Sequence, residues 1–180
     1  MKTIDFRTDI LPLKNELYRL ALRITFNPAE AEDVVQDTML KVWNRREQWA
    51  EIESIEAFCL TVCRNVALDK MKRAGAQNQS FEASPHPPES GGATEVEIAD
   101  TTSNPEEQTV QRDRIRLVKR LIDQLPEKQR SCMQLRDIEG KSYKEIADVM
   151  GITEQQVKVN IFRARQAIRQ KYTETESYGL

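Results

Sequence analysis

The stretch SYKEIADVMGITEQQVKVNIFRAR, residues 142–165, decides the fold. Ser142 stands three residues before Glu145 and Thr153 three before Gln156, and each pair is the side-chain signature of a capped helix start. Between the two starts, Ala147 is small where two helices must approach, and Gly151 follows four residues later where the chain needs a left-handed turn. Val157 comes six residues further, facing back into a core. This is the spacing of a helix-turn-helix. On its second helix, at about 100° per residue, Val157, Ile161, Ala164 and Ile168 share one face. Val159, Phe162 and Arg163 share the opposite face, flanked by Gln155, Gln156, Lys158 and Asn160. An apolar pair set outward beside cations suits a DNA major groove. Val159 and Phe162 can pack on thymine methyls and sugars, Lys158 and Arg163 can read purine edges, and Arg165 and Arg169 suit phosphates.

Outward from this motif, the charge is uneven. The net charge of −2 conceals twelve basic and twelve acidic residues over 1–74, none and seven over 75–111, and fifteen and ten over 112–180. Between Gln155 and Tyr172 lie Lys158, Arg163, Arg165, Arg169 and Lys171 with no acid, a stripe that neutralises phosphates, whereas a merely solvated face mixes both signs. Five engaged cations predict a log–log salt slope of roughly −4.5 for DNA binding, with the acidic segment either competing for the same cations or acting as a plain spacer.

Helical periodicity dominates the rest, and no alternating strand pattern occurs, so the fold class is all-α: two small helical domains joined by a flexible acidic linker. Phe6, Ile10, Leu13, Leu17, Leu20 and Ile24 mark a first helix starting properly near Pro12. Asn27-Pro28-Ala29-Glu30 reads as cap, proline and capping-box glutamate of a second helix running to about Arg46. Ser54 caps a third, Ile55 to Arg73, with Ile55, Phe58, Cys59, Val62, Val66 and Met71 as its stripe. Residues 1–74 form the first domain. Residues 75–104 hold three prolines, three glycines and almost no sizeable apolar side chain, a composition that cannot offset its ordering entropy by burial. Asn104-Pro105-Glu106-Glu107 opens the second domain, 105–172. Its first helix reaches about Gln124, Leu125-Pro126 restarts a helix that Gly140 ends, and the helix-turn-helix follows with its last helix reaching about Tyr172. Residues 173–180 are a tail.

On the second helix, Ala31, Val34, Val35, Thr38 and Val42 face inward, while Asp33, Gln36 and Asp37 ring an outward Leu40, a patch that suits a protein partner. Toward the end of the third, Arg64, Asn65, Lys70, Lys72 and Arg73 suit a nucleic-acid backbone. Trp43 is expected in the core and Trp49 as a partly exposed ring. Asp33 and Asp37 have no histidine or metal-ligand companion and no glycine-rich phosphate loop occurs, so an enzyme is not expected, nor a metal or other cofactor. Cys59, Cys63 and Cys132 read as reduced, structural thiols. Cys59 and Cys63, one turn apart on one helix, are poorly placed for a bridge. No apolar run approaches the roughly 20 residues that cross a bilayer, and the charged start lacks a signal-peptide core, so a cytoplasmic protein without membrane insertion is expected.

Glu32-Asp33-Val34-Val35-Gln36-Asp37, Leu40, Val42-Trp43, Ala57-Phe58, Arg64-Asn65, Asp69 and Arg73 together resemble region 2 of extracytoplasmic-function sigma factors. Leu125-Pro126-Glu127, Gln129-Arg130, Leu135-Arg136, Glu139-Gly140, Tyr143, Glu145-Ile146-Ala147, Gly151-Ile152, Val157-Lys158 and Arg163-Ala164-Arg165 resemble their region 4. The resemblance implies a dissociable subunit that gives bacterial core RNA polymerase its promoter choice. It implies that Asp33, Gln36, Asp37 and Leu40 dock on the β′ clamp helices and that region 4 meets the β flap. Trp49 and Ser54, in the loop before the third helix, would capture a flipped base of the minus-10 element, with Arg64, Asn65, Lys70 and Arg73 on the backbone. Gln155, Gln156, Lys158, Val159, Asn160, Phe162, Arg163, Arg165 and Arg169 would meet the minus-35 element. The family also makes an anti-sigma factor a reasonable partner. Many members carry Ser-Arg where this chain has Val159-Asn160, so their promoter sequences do not transfer. A stand-alone helix-turn-helix regulator is the alternative.

Overall fold

The computed structural model of the chain describes residues 4–78 and 105–177, and every regular element among them is helical. Asp5 opens the chain's first turns by accepting from the amides of Arg7 and Thr8, both at 3.0 Å, while its own amide donates to Asp9 at 2.8 Å. A wide turn over Phe6–Ile10 and a tight one over Leu11–Leu13 with Pro12 lead into α1 (Lys14–Thr25), which therefore begins where the proline permits. It ends on Phe26 at φ 55°, the left-handed conformation, here adopted by a non-glycine residue.

Helix α2 (Pro28–Asn44) starts under the Asn27 cap, whose side chain accepts from Ala29 and Glu30 at 2.9 and 3.2 Å. The Glu30 carboxylate does not close the expected box; it turns instead toward Lys70 at 3.6 Å. A tight turn over Arg46–Glu51 reverses the chain into α3 (Ile55–Asn78), where Ala57 donates to Ser54 Oγ at 3.2 Å. The helix runs past the expected end at Arg73. Leu17, Leu20, Ala21, Ala31, Val34, Val42, Cys59, Leu60, Cys63 and Ala67 close the core of these three helices, all nearly inaccessible.

The second half holds α4 (Pro105–Asp123), α5 (Glu127–Met133), a wide turn over Gln134–Ile138, α6 (Tyr143–Met150) and α7 (Glu154–Ser177). Gly140 at φ 69° and Gly151 at φ 65° are both left-handed, as the turn and the helix stop require. Ser142 and Glu145 form the full reciprocal capping box, and Thr153 and Gln156 exchange bonds at 2.9 and 3.1 Å. Helix α7 extends beyond Tyr172 to Ser177, with threonine and serine hydroxyls bonding back to carbonyls four residues earlier. Residues 75–78 of the expected linker continue α3 as helix, and the rest of it, with the Asn104 cap, lies outside the described residues. The two halves pack together: α6 lies against α3, α5 against α1, and one apolar cluster runs from Leu17 and Cys63 through Cys132 and Leu135 to Ile146 and Val157.

Candidate nucleic-acid interface

Val157 and Ala164 are fully buried and Ile161 nearly so, which fixes the rotation of α7 and turns its other face outward. Phe162 is 65% exposed, a large aromatic ring left in solvent. Arg163, Gln155, Gln156 and Lys158 are exposed around it, and Val159 and Asn160 are half-buried. Gln155, Gln156, Val159, Asn160 and Arg163, together with Lys128 and Ile152, line a shallow open depression at the start of α7. Asn160 donates to the Gln156 carbonyl at 2.8 Å, which holds its amide against the helix. Lys158 lies 5.3 Å above the Tyr143 ring, so the cation is oriented across the turn by its neighbour on α6.

Arg165 differs from the other cations of the stripe. Its Nε donates to Asp137 at 3.1 Å and its Nη2 to the second carboxylate oxygen, and this bidentate partner holds the guanidinium pKa above its ordinary value. Arg169 is exposed. Of the nine residues expected on the minus-35 face, Gln155, Gln156, Lys158, Phe162, Arg163 and Arg169 are exposed, Val159 and Asn160 are half-buried, and Arg165 is exposed but already engaged.

On α2, Leu40 is 61% exposed and Gln36 and Asp33 are exposed, with Asp37 half-buried beside them. Lys70 from α3 reaches Glu30, Asp33 and Asp37 at 3.6, 3.7 and 3.8 Å. The cation expected on nucleic acid thus sits over the edge of the acidic patch. Asn65 and Arg73 are exposed on α3.

Three expectations are corrected here. Trp49 is buried, with 7% of its surface exposed and its indole N–H donating to the Val42 carbonyl at 3.1 Å, because the tight turn after α2 folds it back onto that helix. Trp43 is the exposed ring, at 45%: it follows Val42 by one residue, about 100° around the helix, and packs edge-on against Phe6 and Trp49. Arg64 is also buried. It lies one turn from Leu60 on the inward face, and its Nε and Nη2 donate to the Glu127 carboxylate of α5 at 3.1 and 3.0 Å. Ser54 is half-buried and occupied as the cap of α3.

Cys59, Cys63 and Cys132 are free and buried, and burial pushes their thiols up to about 12, about 12 and about 11. Among the described residues no group of three or more histidine, cysteine or carboxylate side chains is placed to hold a metal, and no helix is long and apolar enough to cross a membrane.

Comparison with known proteins agrees with this division. Residues 10–77 match the family model of sigma-70 region 2, and residues 115–168 that of sigma-70 region 4. The chain is 32% identical over 154 residues to the ECF RNA polymerase sigma factor SigL of Mycobacterium tuberculosis, an alignment covering 85% of this chain and 80% of that one. It is 31% identical over 145 residues to the ECF sigma-E factor of Escherichia coli, covering 79% and 73%. Among solved structures, the sigma factor RpoE of Bartonella quintana, crystallised with the anti-sigma factor NepR, superposes with a TM-score of 0.72 at 22% identity over 92% of this chain and 95% of that one. The sigma factor CnrH, in complex with the cytosolic domain of CnrY, gives 0.64 at 18% identity, covering 94% and 88%. With a region 2 helical trio, a region 4 helix-turn-helix and close sequence relatives across both, the chain belongs to the extracytoplasmic-function family of RNA polymerase sigma factors, which bind core polymerase and direct transcription initiation.

Proposed function

We propose that the chain acts in the cytoplasm, docks on the β′ clamp helices of core RNA polymerase through Asp33, Gln36, Asp37 and Leu40 of α2, and reads the minus-35 element with α7. The observation that carries this reading is the exposed pairing of Phe162 with Arg163 on the face of α7 opposite its buried stripe. A solvated helix gains nothing from an aromatic ring at 65% exposure, whereas a major groove covers it. Membership of the family favours this over a stand-alone regulator. In region 2, Asn65 and Arg73 are the exposed groups for the minus-10 strand. Trp49 supports the loop from beneath, and Ser54 sets the start of α3. Region 4 meets the β flap, and an anti-sigma factor is the regulatory partner to be sought.

Equilibrium binding of the purified chain to core polymerase tests this, beside a Gln36→Ala, Leu40→Ala double variant. Both side chains are exposed, so the variant keeps its fold. Tight binding by the parent and a loss of roughly 10- to 100-fold in the variant is expected for a central apolar anchor and its polar neighbour. Equal binding by both would move the interface elsewhere.

A further inference from the structure

Lys158, Phe162, Arg165 and Arg169 follow one another on α7 at spacings of four, three and four, so they form one row along the helix. Two members of this row meet other parts of region 4: Lys158 meets Tyr143 at the start of α6, and Arg165 meets Asp137 in the wide turn over Gln134–Ile138. That turn is firmly seated. Gln134 and Leu135 are buried, and their carbonyls accept from the amides of Glu139 and Lys141 at 3.1 and 2.9 Å. Arg136 adds a bond from Nη1 to the Lys141 carbonyl at 2.7 Å. Asp137 is thus carried on a fixed base, and Arg165 follows the fully buried Ala164 on a helix whose rotation is set. Taken alone, a carboxylate at the rim of a phosphate-facing helix opposes DNA binding.

We propose that Asp137 is a positioning residue: it holds Arg165 ready to grip one backbone phosphate of the minus-35 element. This rests on the reading of α7 as the minus-35 helix. The carboxylate takes only the side edge of the guanidinium, through Nε and one hydrogen of Nη2. The end edge, formed by Nη1 and the second hydrogen of Nη2, makes no hydrogen bond to the described residues, and the Arg165 side chain stays 51% exposed. Such an edge matches two oxygens of a phosphate. A free arginine on a helix surface samples many rotamers and loses them when a phosphate captures it. One already held by a fork on its other edge has lost them in advance, so capture is less costly. The ion pair therefore orients the cation without covering the donors that DNA needs.

The test uses holoenzyme assembled with each variant and a duplex that the parent holoenzyme selects from a pool randomised across the minus-35 element. Single phosphates across that element are replaced in turn by neutral methylphosphonates. In the parent, replacement of the phosphate gripped by Arg165 should weaken binding by roughly tenfold. Asp137→Ala removes a negative charge, so bulk electrostatics alone would tighten binding. The expected result is the opposite: a loss of roughly threefold to tenfold on the unmodified duplex, with the penalty at that one phosphate erased and the others kept. Asp137→Glu, which keeps the charge and the fork, should recover most of the loss. Arg165→Ala should erase the same penalty, and adding Asp137→Ala to it should weaken binding no further. Tighter binding by Asp137→Ala, or a penalty profile kept or scaled uniformly at all phosphates, overturns the positioning role. A parent with no sensitive phosphate in the element overturns the reading of α7 itself, and the proposal with it.

Discussion

The guanidinium of Arg130 on α5 lies 4.4 Å above the ring of Phe26, the left-handed residue that ends α1. Arg130 is 7% exposed and its Nη1 donates to the carbonyls of Asp123 at 3.1 Å and Leu125 at 2.9 Å. One side chain therefore closes the turn between α4 and α5 and seats region 4 on region 2. Burial lowers its pKa from the usual arginine value, opposed by the charges of Asp123 and Glu127. Arg130→Ala leaves two carbonyls without donors and uncovers the Phe26 ring. The expected cost is about 3 kcal/mol, read as a lower urea midpoint. Arg130→Lys should recover only part of it, because an ammonium lacks the flat guanidinium face that stacks over the Phe26 ring.

The three buried thiols make alkaline pH destabilising. Their folded pKa values, about 12, about 12 and about 11, lie above the ordinary 9.0, so the folded state keeps protons that the unfolded chain releases. Stability from this source is complete below pH 9 and declines as pH rises through the folded values, by at most about 1.4 kcal/mol per pH unit for each thiol. Urea titrations between pH 8 and pH 11 should show this decline, and the triple variant Cys59→Ala, Cys63→Ala, Cys132→Ala should show a shallower one. At pH 8 the native thiols should resist a thiol-specific disulfide reagent that modifies all three in urea.

Local signals were legible and remote ones were not. Asn27, Ser142, Thr153, Gly140 and Gly151 act within a few residues of themselves, and each cap or turn they imply is present. The rotation of α7 also follows from its own periodicity, which is why its buried stripe and outward face are legible residue by residue. Trp43 and Trp49 exchange places because the tight turn over Arg46–Glu51 breaks the helical phase just where the two rings must be told apart. Arg64 has its partner 63 positions away, and α3 is covered on one side by α1 and α2 and on another by α6. A helix packed on two sides buries positions that a single amphipathic stripe assigns to solvent.

Ser142 and Glu145 supply a direct test of the turn before the recognition helix. The Glu145 amide donates to the Ser142 hydroxyl at 3.2 Å, while its carboxylate Oε2 accepts from the Ser142 amide at 2.8 Å and from the Ser142 hydroxyl at 2.7 Å, and the bonds to the carboxylate depress its pKa. Ser142→Ala should cost about 1 kcal/mol in thermal or chemical unfolding. A carboxylate with a depressed folded pKa contributes above the unfolded value near 4.5 and loses that contribution as pH falls through the folded one. The difference between parent and variant should therefore be full at pH 7 and shrink on acidification below pH 4.5. A penalty equal at both pH values would show that the reciprocal bond is absent in solution.

Val159 is the position proposed to set this chain's own promoter preference. It is half-buried in the depression bounded by Ile152, Gln155 and Asn160, with Phe162 beyond it on the outward face. An isopropyl group there offers a methyl-rich surface to a thymine and no hydrogen bond to any base. Val159→Ser exchanges that surface for a hydroxyl without touching the buried stripe, so unfolding should move by less than about 1 kcal/mol. Selection of duplexes randomised across the minus-35 element, with holoenzyme assembled from each protein, should reveal a change at one or two adjacent bases worth about 1 kcal/mol, roughly fivefold in preference. Core polymerase binding should be unchanged, because α2 is untouched. A uniform loss across all sequences would place Val159 in backbone positioning and shift base selection to Gln155, Lys158 and Arg163.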